Sequence, residues 1–248
     1  MIDRPVLILS ALGRCLPLAL SLFALMGKPV QAGETAKALW FPDQSNAPRY
    51  AWSSAPCEAC ERIEPYPGWR LMAEMAGLRD IHFLIAADED GGSAYSAAPN
   101  VLVLAPSALR LDTCQQAFVV GHEIVHLAQR HFDEDARLLS VLSGQAAGWT
   151  RNGERAMGLL DGNIALAFRM SQHWRWQERE ADWLGALLAA EVYGCTLEDG
   201  ALPYLRAAEG LGGGIAAAHD PSARRAEFLD AFAESARRLA FHAYYFER

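Results

Sequence analysis

Two histidines four residues apart, with a glutamate directly after the first, constrain this chain more than any other feature: Gly121-His122-Glu123-Ile124-Val125-His126. On an α-helix, side chains four positions apart emerge one turn apart on nearly the same face, so both imidazoles can reach one metal ion. Glu123 lies about 100° further round, which puts its carboxylate beside the open coordination position and not among the ligands. A zinc-bound water has its pKa lowered to about 7, and an adjacent glutamate can accept its proton as the water attacks a carbonyl. Ile124, Val125 and Leu127 would bury the other side of the helix.

A catalytic zinc needs a third protein ligand. Glu178-Arg179-Glu180-Ala181-Asp182 offers one, because a second helix can present Glu178 to the metal and Asp182 one turn later. Asp182 is then placed to accept a hydrogen bond from a ligand histidine and hold its tautomer. A solvated acidic face is the competing interpretation, but Trp183, Leu184, Leu187 and Leu188 make this helix strongly apolar. Carboxylates beside a core usually have partners.

The first residues have the pattern of a targeting segment. Arg4 and Arg14 precede a short apolar stretch, Leu16 to Met26, and Val30-Gln31-Ala32 has the small residues that a signal peptidase prefers. Residues 1–32 are therefore expected to be a cleaved signal peptide, giving a mature chain that starts at Gly33 and is periplasmic or extracellular. Removing Arg4, Arg14, Lys28 and Asp3 leaves 19 basic and 29 acidic residues, a net charge of −10. Such a surface repels nucleic acid phosphates, so no nucleic acid partner is expected. No later apolar run is long enough to span a membrane. Cys57, Cys60, Cys114 and Cys195 remain, an even number in an exported chain, which points to disulfides in one of three pairings.

Residues 33–68 are rich in Pro, Ser and Ala, show little periodicity and read as a poorly ordered lead-in to a domain over 69–248. Ile81 to Ala86 and Val101 to Leu104 are short apolar runs bounded by turn residues, the signature of strands, with a turn at Asp88 to Ser93. A helix begins after Asp112 or Thr113, either of which can cap it, and contains the first motif. A second helix is expected over Asp133 to Val141. A long helical stretch then runs from Glu154 to Tyr193, bent at Gly162 and stopped by Gly194, with further helices at Leu197 to Glu209 and Pro221 to Ala240. The Gly210 to Gly214 run lacks the lysine and serine of a phosphate loop and reads as a connector. His131 closes the first motif's helix, where it favours the helix dipole. His82, His173 and His242 have no ligand spacing, and the aromatic ending Phe241 to Phe246 reads as packing.

These motifs resemble the gluzincin metallopeptidases that include the CAAX prenyl endopeptidases, the HtpX-like proteases and soluble periplasmic relatives. The resemblance is carried by Val120 to Leu127 and by Gln177 to Gly185. It is weaker at Ser93-Ala94-Tyr95 and Val101 to Pro106, which look like that family's strand leading into the active-site helix; in all it covers about residues 70 to 240. It implies one zinc per chain held by His122, His126 and Glu178, with Glu123 as the catalytic base. Family members often carry a His-Pro pair and then an arginine beside the site. Here Asp220 separates His219 from Pro221, so His219 is expected to contact substrate or shield the metal, or else Pro221 simply opens a helix. Arg225 is a candidate to face the cleft under the first of these alternatives only.

The expected fold is a mainly helical α+β zincin-like domain with a small sheet before the active-site helix. The expected activity is zinc-dependent hydrolysis of internal peptide bonds, and the resemblance implies misfolded envelope proteins as substrates. Two alternatives keep the zinc: a chaperone or assembly factor with minor or latent proteolysis, and a metal-stabilised structural domain with no open coordination site. Intact Glu123 argues against both. Two segments, Ser171 to Trp176 and Gly210 to Ala218, are candidates for covering the site.

Overall fold

A computed structural model describes residues 59–87, 93–97, 99–145, 153–208 and 222–246. A four-stranded sheet is built from β1 (Glu61–Ile63), β2 (His82–Ile85), β3 (Ala94–Ala97) and β4 (Val101–Leu104), in the order β1-β2-β4-β3. β2 and β4 run parallel, with Phe83 opposite Leu102, and the two edge strands are antiparallel to their neighbours. The two apolar runs read from sequence are thus the inner strands. The edge strands carry weaker signals. β1 falls in the 33–68 lead-in, so ordered structure begins before Trp69. The turn expected at Asp88 to Ser93 lies mostly outside the described residues.

The helices are α1 (Pro67–Met75), α2 (Thr113–Gln129), α3 (His131–Ser143), α4 (Gly153–Asp161), α5 (Ile164–Tyr193), α6 (Ala201–Ala207) and α7 (Ser222–Phe246), with a short 3-10 turn at Pro106–Arg110 before α2. Of the two candidate caps for α2, Asp112 acts: its carboxylate accepts from the backbone N–H of Cys114 and Gln115. The stretch expected to bend at Gly162 is instead two helices, because the Asn163 side chain accepts from Leu166 N–H and starts α5 afresh. Gly194, at φ 69°, ends α5 in the left-handed conformation that glycine adopts without strain. α6 is shorter than Leu197 to Glu209, and α7 runs past Ala240 to Phe246. Ser171 to Trp176 lie within α5 and form no separate covering segment, while 210–218 and residues 1–32, expected to be a signal peptide, lie outside the described residues.

α2 is buried on nearly every face, with a continuous run from Ala117 to Val125 out of solvent. One side meets the sheet and α1 through Phe83, Leu102, Val120 and Ile124; another meets α6 and α7 through Phe118, Leu202, Leu205 and Leu229. Its main partner is α5, which runs antiparallel to it. Cys114 and Cys195 join the start of α2 to the residue after α5 by a disulfide, Cα to Cα 5.5 Å. Closing an 81-residue separation is worth about 4.5 kcal/mol in chain-entropy terms. Cys60 is also disulfide-bonded. No helix among the described residues is long and apolar enough to cross a membrane.

α3 is tied to α5 by His173, whose Nε2 lies 3.3 Å from Asp135 Oδ1. The Asp135 carboxylate beside it raises the His173 pKa above the ordinary histidine value, against the opposing effect of burial. A group raised on folding stabilises below its unfolded pKa and loses that contribution as pH rises through the folded value. Thermal unfolding of His173→Gln should therefore show a larger deficit against the parent at about pH 6 than at about pH 9. An equal deficit at both would remove the charged pair as its cause.

Candidate metal centre

The two motif helices touch backbone to backbone. A Cβ built on Gly185 of α5 would lie 2.6 Å from the amide nitrogen of His122, and one on Gly121 would lie 2.7 Å from the Gly185 carbonyl oxygen. Glycine inside a helix costs about 1 kcal/mol against alanine, so both positions trade propensity for approach. At this contact and one turn further along α2, His122 and His126 face Glu178, and the ligating atoms of the three side chains all lie within 4.8 Å of one another. His122 Nε2 is 3.1 Å from His126 Nε2 and 3.4 Å from Glu178 Oε2, and His126 Nε2 is 3.3 Å from Glu178 Oε1. A tetrahedral ion with bonds of about 2.0–2.1 Å has ligand–ligand edges of about 3.3 Å, so the triangle fits zinc.

Electrostatics agree with a cation site. Burial alone would push the His122 imidazole down, yet Glu178 and Asp182 beside it hold it up at about 10. Two buried carboxylates thus call for positive charge at this spot, which a proton or a metal can supply. Asp182 is fully buried and lies 3.0 Å from His122 Nδ1, the nitrogen that faces away from the triangle. Burial opposes the Asp182 charge, but Arg225 and His122 together more than offset this and hold the carboxyl below the usual range. Arg225, from α7, donates to Asp182 through Nε at 2.7 Å and Nη2 at 2.5 Å, and its Nη1 is 3.5 Å from Glu178. Glu123, next to His122 on α2, is 9% exposed.

Residues 84–233 match the sequence model of Peptidase family M48. The chain belongs to that family. It is therefore a metallopeptidase, and its substrates are proteins or peptides. No curated protein and no solved structure matches the chain.

His122, His126 and Glu178 converge, Asp182 stands against His122, and Arg225 takes a place against Asp182 and Glu178; Glu123 follows His122 on α2. His219 lies outside the described residues. One sequence expectation is corrected. His131 does not act as a cap at the end of α2, since Arg130, at φ 60°, ends that helix and His131 begins α3 with its ring 2% exposed. Its Nδ1 is 2.9 Å from His126 Nδ1, and its Nε2 is 3.2 Å from Glu180. Burial lowers the His131 pKa despite that carboxylate. Tyr204 of α6 also reaches the site: it hydrogen-bonds Ser93 and lies in the field of Glu123 and Arg225, and burial raises its pKa. Spacing gives no hint of Tyr204, which arrives from a separate helix.

Gly185→Ala should gain up to about 1 kcal/mol in helix propensity and lose more, about 1–3 kcal/mol, to the forced separation of α2 and α5. The expected result is a lower Tm together with weaker metal binding, read by thermal unfolding and metal titration. Undiminished metal binding would show that the backbone contact does not set the triangle.

Proposed function

We propose that this M48 protein is a zinc-dependent endopeptidase that cleaves internal peptide bonds, acting in an exported location on misfolded or misassembled envelope proteins. The observation that carries the zinc reading is the convergence of buried His122 and Glu178 with partly buried His126, with Glu123 on the same helix as the histidines. Two imidazoles and a carboxylate are a donor set of catalytic zinc, which keeps a further position open. Zinc there would supply a Lewis acid for the scissile carbonyl and lower the pKa of the hydrolytic water. Glu123 takes the proton of the attacking water and returns it to the leaving amine. Asp182 and Arg225 hold the ring of His122, so the ligand does not reorient during turnover. A purely structural metal has no use for a base at its edge. The Cys114–Cys195 disulfide supports an oxidising compartment, as does the apolar segment Leu16 to Met26.

Zinc per chain, read by elemental mass spectrometry after dialysis, and hydrolysis of an unfolded protein substrate test the site together. The parent and Glu123→Gln should each retain about one zinc, while Glu178→Ala loses most of it. Glu123→Gln should lower the turnover rate by roughly 10²- to 10⁴-fold. Full hydrolysis in Glu123→Gln would overturn its role as base, and full zinc in Glu178→Ala would remove that residue from the ligand set. For the location, N-terminal sequencing of protein recovered from the exported fraction should begin at Gly33; retention in the cytoplasm with Met1 intact would refute export.

A further inference from the structure

The two candidate ligand histidines are held in different ways. Asp182 serves His122 directly at Nδ1, whereas Nδ1 of His126 faces another imidazole, that of His131, at 2.9 Å. The two rings stand nearly perpendicular, at 86° with centroids 4.8 Å apart. His131 Nε2 lies 3.2 Å from Oε2 of Glu180, two residues beyond Glu178 on α5.

Hydrogen positions along this chain of groups follow from what each can donate. The Glu180 carboxylate only accepts, so His131 Nε2 carries the hydrogen. A buried neutral imidazole protonated at Nε2 has an Nδ1 that only accepts. The hydrogen between the two rings therefore belongs to Nδ1 of His126. That leaves a lone pair on His126 Nε2, the atom 3.1 Å from His122 Nε2 and 3.3 Å from Glu178 Oε1. The opposite tautomer would place a hydrogen on that atom and prevent ligation. Both nitrogens of His131 are engaged, so His131 is not itself a ligand. Its backbone is held as well, since Gln177 Nε2 donates to the His131 carbonyl at 3.3 Å.

We propose, resting on the metal reading above, that His131 and Glu180 form a relay that fixes the tautomer and ring orientation of His126. Both are positioning residues. The turn at Arg130 makes this possible: it ends α2 and folds His131 back against a side chain five residues earlier.

The test uses the full chain with four variants: His131→Phe, Glu180→Ala, Glu180→Gln and, as a control for the metal, His122→Ala. Zinc affinity is measured by competition with a chromogenic chelator. Unfolding of the metal-free proteins is measured alongside, as is the visible absorption of cobalt-loaded samples. His131→Phe should weaken zinc binding roughly 10- to 100-fold, and Glu180→Ala several-fold. Glu180→Gln keeps an acceptor oxygen for His131 Nε2–H and should restore most of the parent affinity. Glu180 is partly exposed, so its variants should unfold with the parent when metal-free, and the cobalt spectrum of Glu180→Ala should shift where a packing defect elsewhere would leave it unchanged. Parent-like zinc affinity in both Glu180→Ala and His131→Phe, with zinc lost in His122→Ala, would overturn the relay and leave the metal centre standing. If His131→Phe does not fold, parent-like affinity and cobalt spectrum in Glu180→Ala alone are enough to overturn it. A parent chain that binds no zinc would overturn both.

Discussion

The site depends on how closely two helices approach. Ordinary helix pairs are kept 8–10 Å apart by their side chains, but α2 and α5 meet at Gly121 and Gly185, where even a methyl group would overlap backbone. That contact sets the depth at which His122 and Glu178 face each other. The disulfide at one end of the pair and the His131–Glu180 contact at the other bracket the same antiparallel seam, so the register of α2 on α5 is fixed at several points along its length. Registry matters because the motif residues come one turn apart: a slip of one turn would pair His126 with the wrong segment of α5.

Holding so many charges out of water is costly unless each has a partner. Here the partners are arranged outward in layers. Glu178 and the Nε2 atoms of the histidines face the centre, Asp182 and His131 sit behind them, and Arg225 and Glu180 sit behind those. The outermost groups come from different places. Arg225 arrives on α7, whereas Glu180 reaches toward solvent, its side chain 41% exposed. Hydrophobic clusters on either side of α2 keep the layers in place, with the sheet and α1 on one face and α6 and α7 on the other.

Much of this was legible in the sequence, for reasons that can be located. The inner strands β2 and β4 read clearly because they are short apolar runs bounded by turn residues. Edge strands β1 and β3 carry little apolar signal of their own and exist because β2 and β4 offer them open edges. Asp112 and Gly194 mark helix ends through local chemistry that needs no tertiary partner. Asn163 was missed because it sits in a sequence whose helical pattern continues across it, and only its side chain bonding Leu166 N–H separates α4 from α5. His131 was misread because a residue five positions beyond His126 on a continuous helix would point elsewhere; Arg130 in a left-handed conformation changes its direction.

By itself the sequence determined the candidate ligand types, their spacing of one helical turn, the glutamate between them and the acidic pair on a second helix, because these depend only on helix periodicity and on what each side chain can donate or accept. Which groups stand behind the ligands was decided by the tertiary structure alone. Arg225 on Asp182, Tyr204 at Ser93 and His131 between His126 and Glu180 are contacts between groups from separate elements, or across a sharp turn. No local periodicity encodes them, since they exist only once the glycine contact has brought α2 and α5 together and the helices around that pair have packed against it.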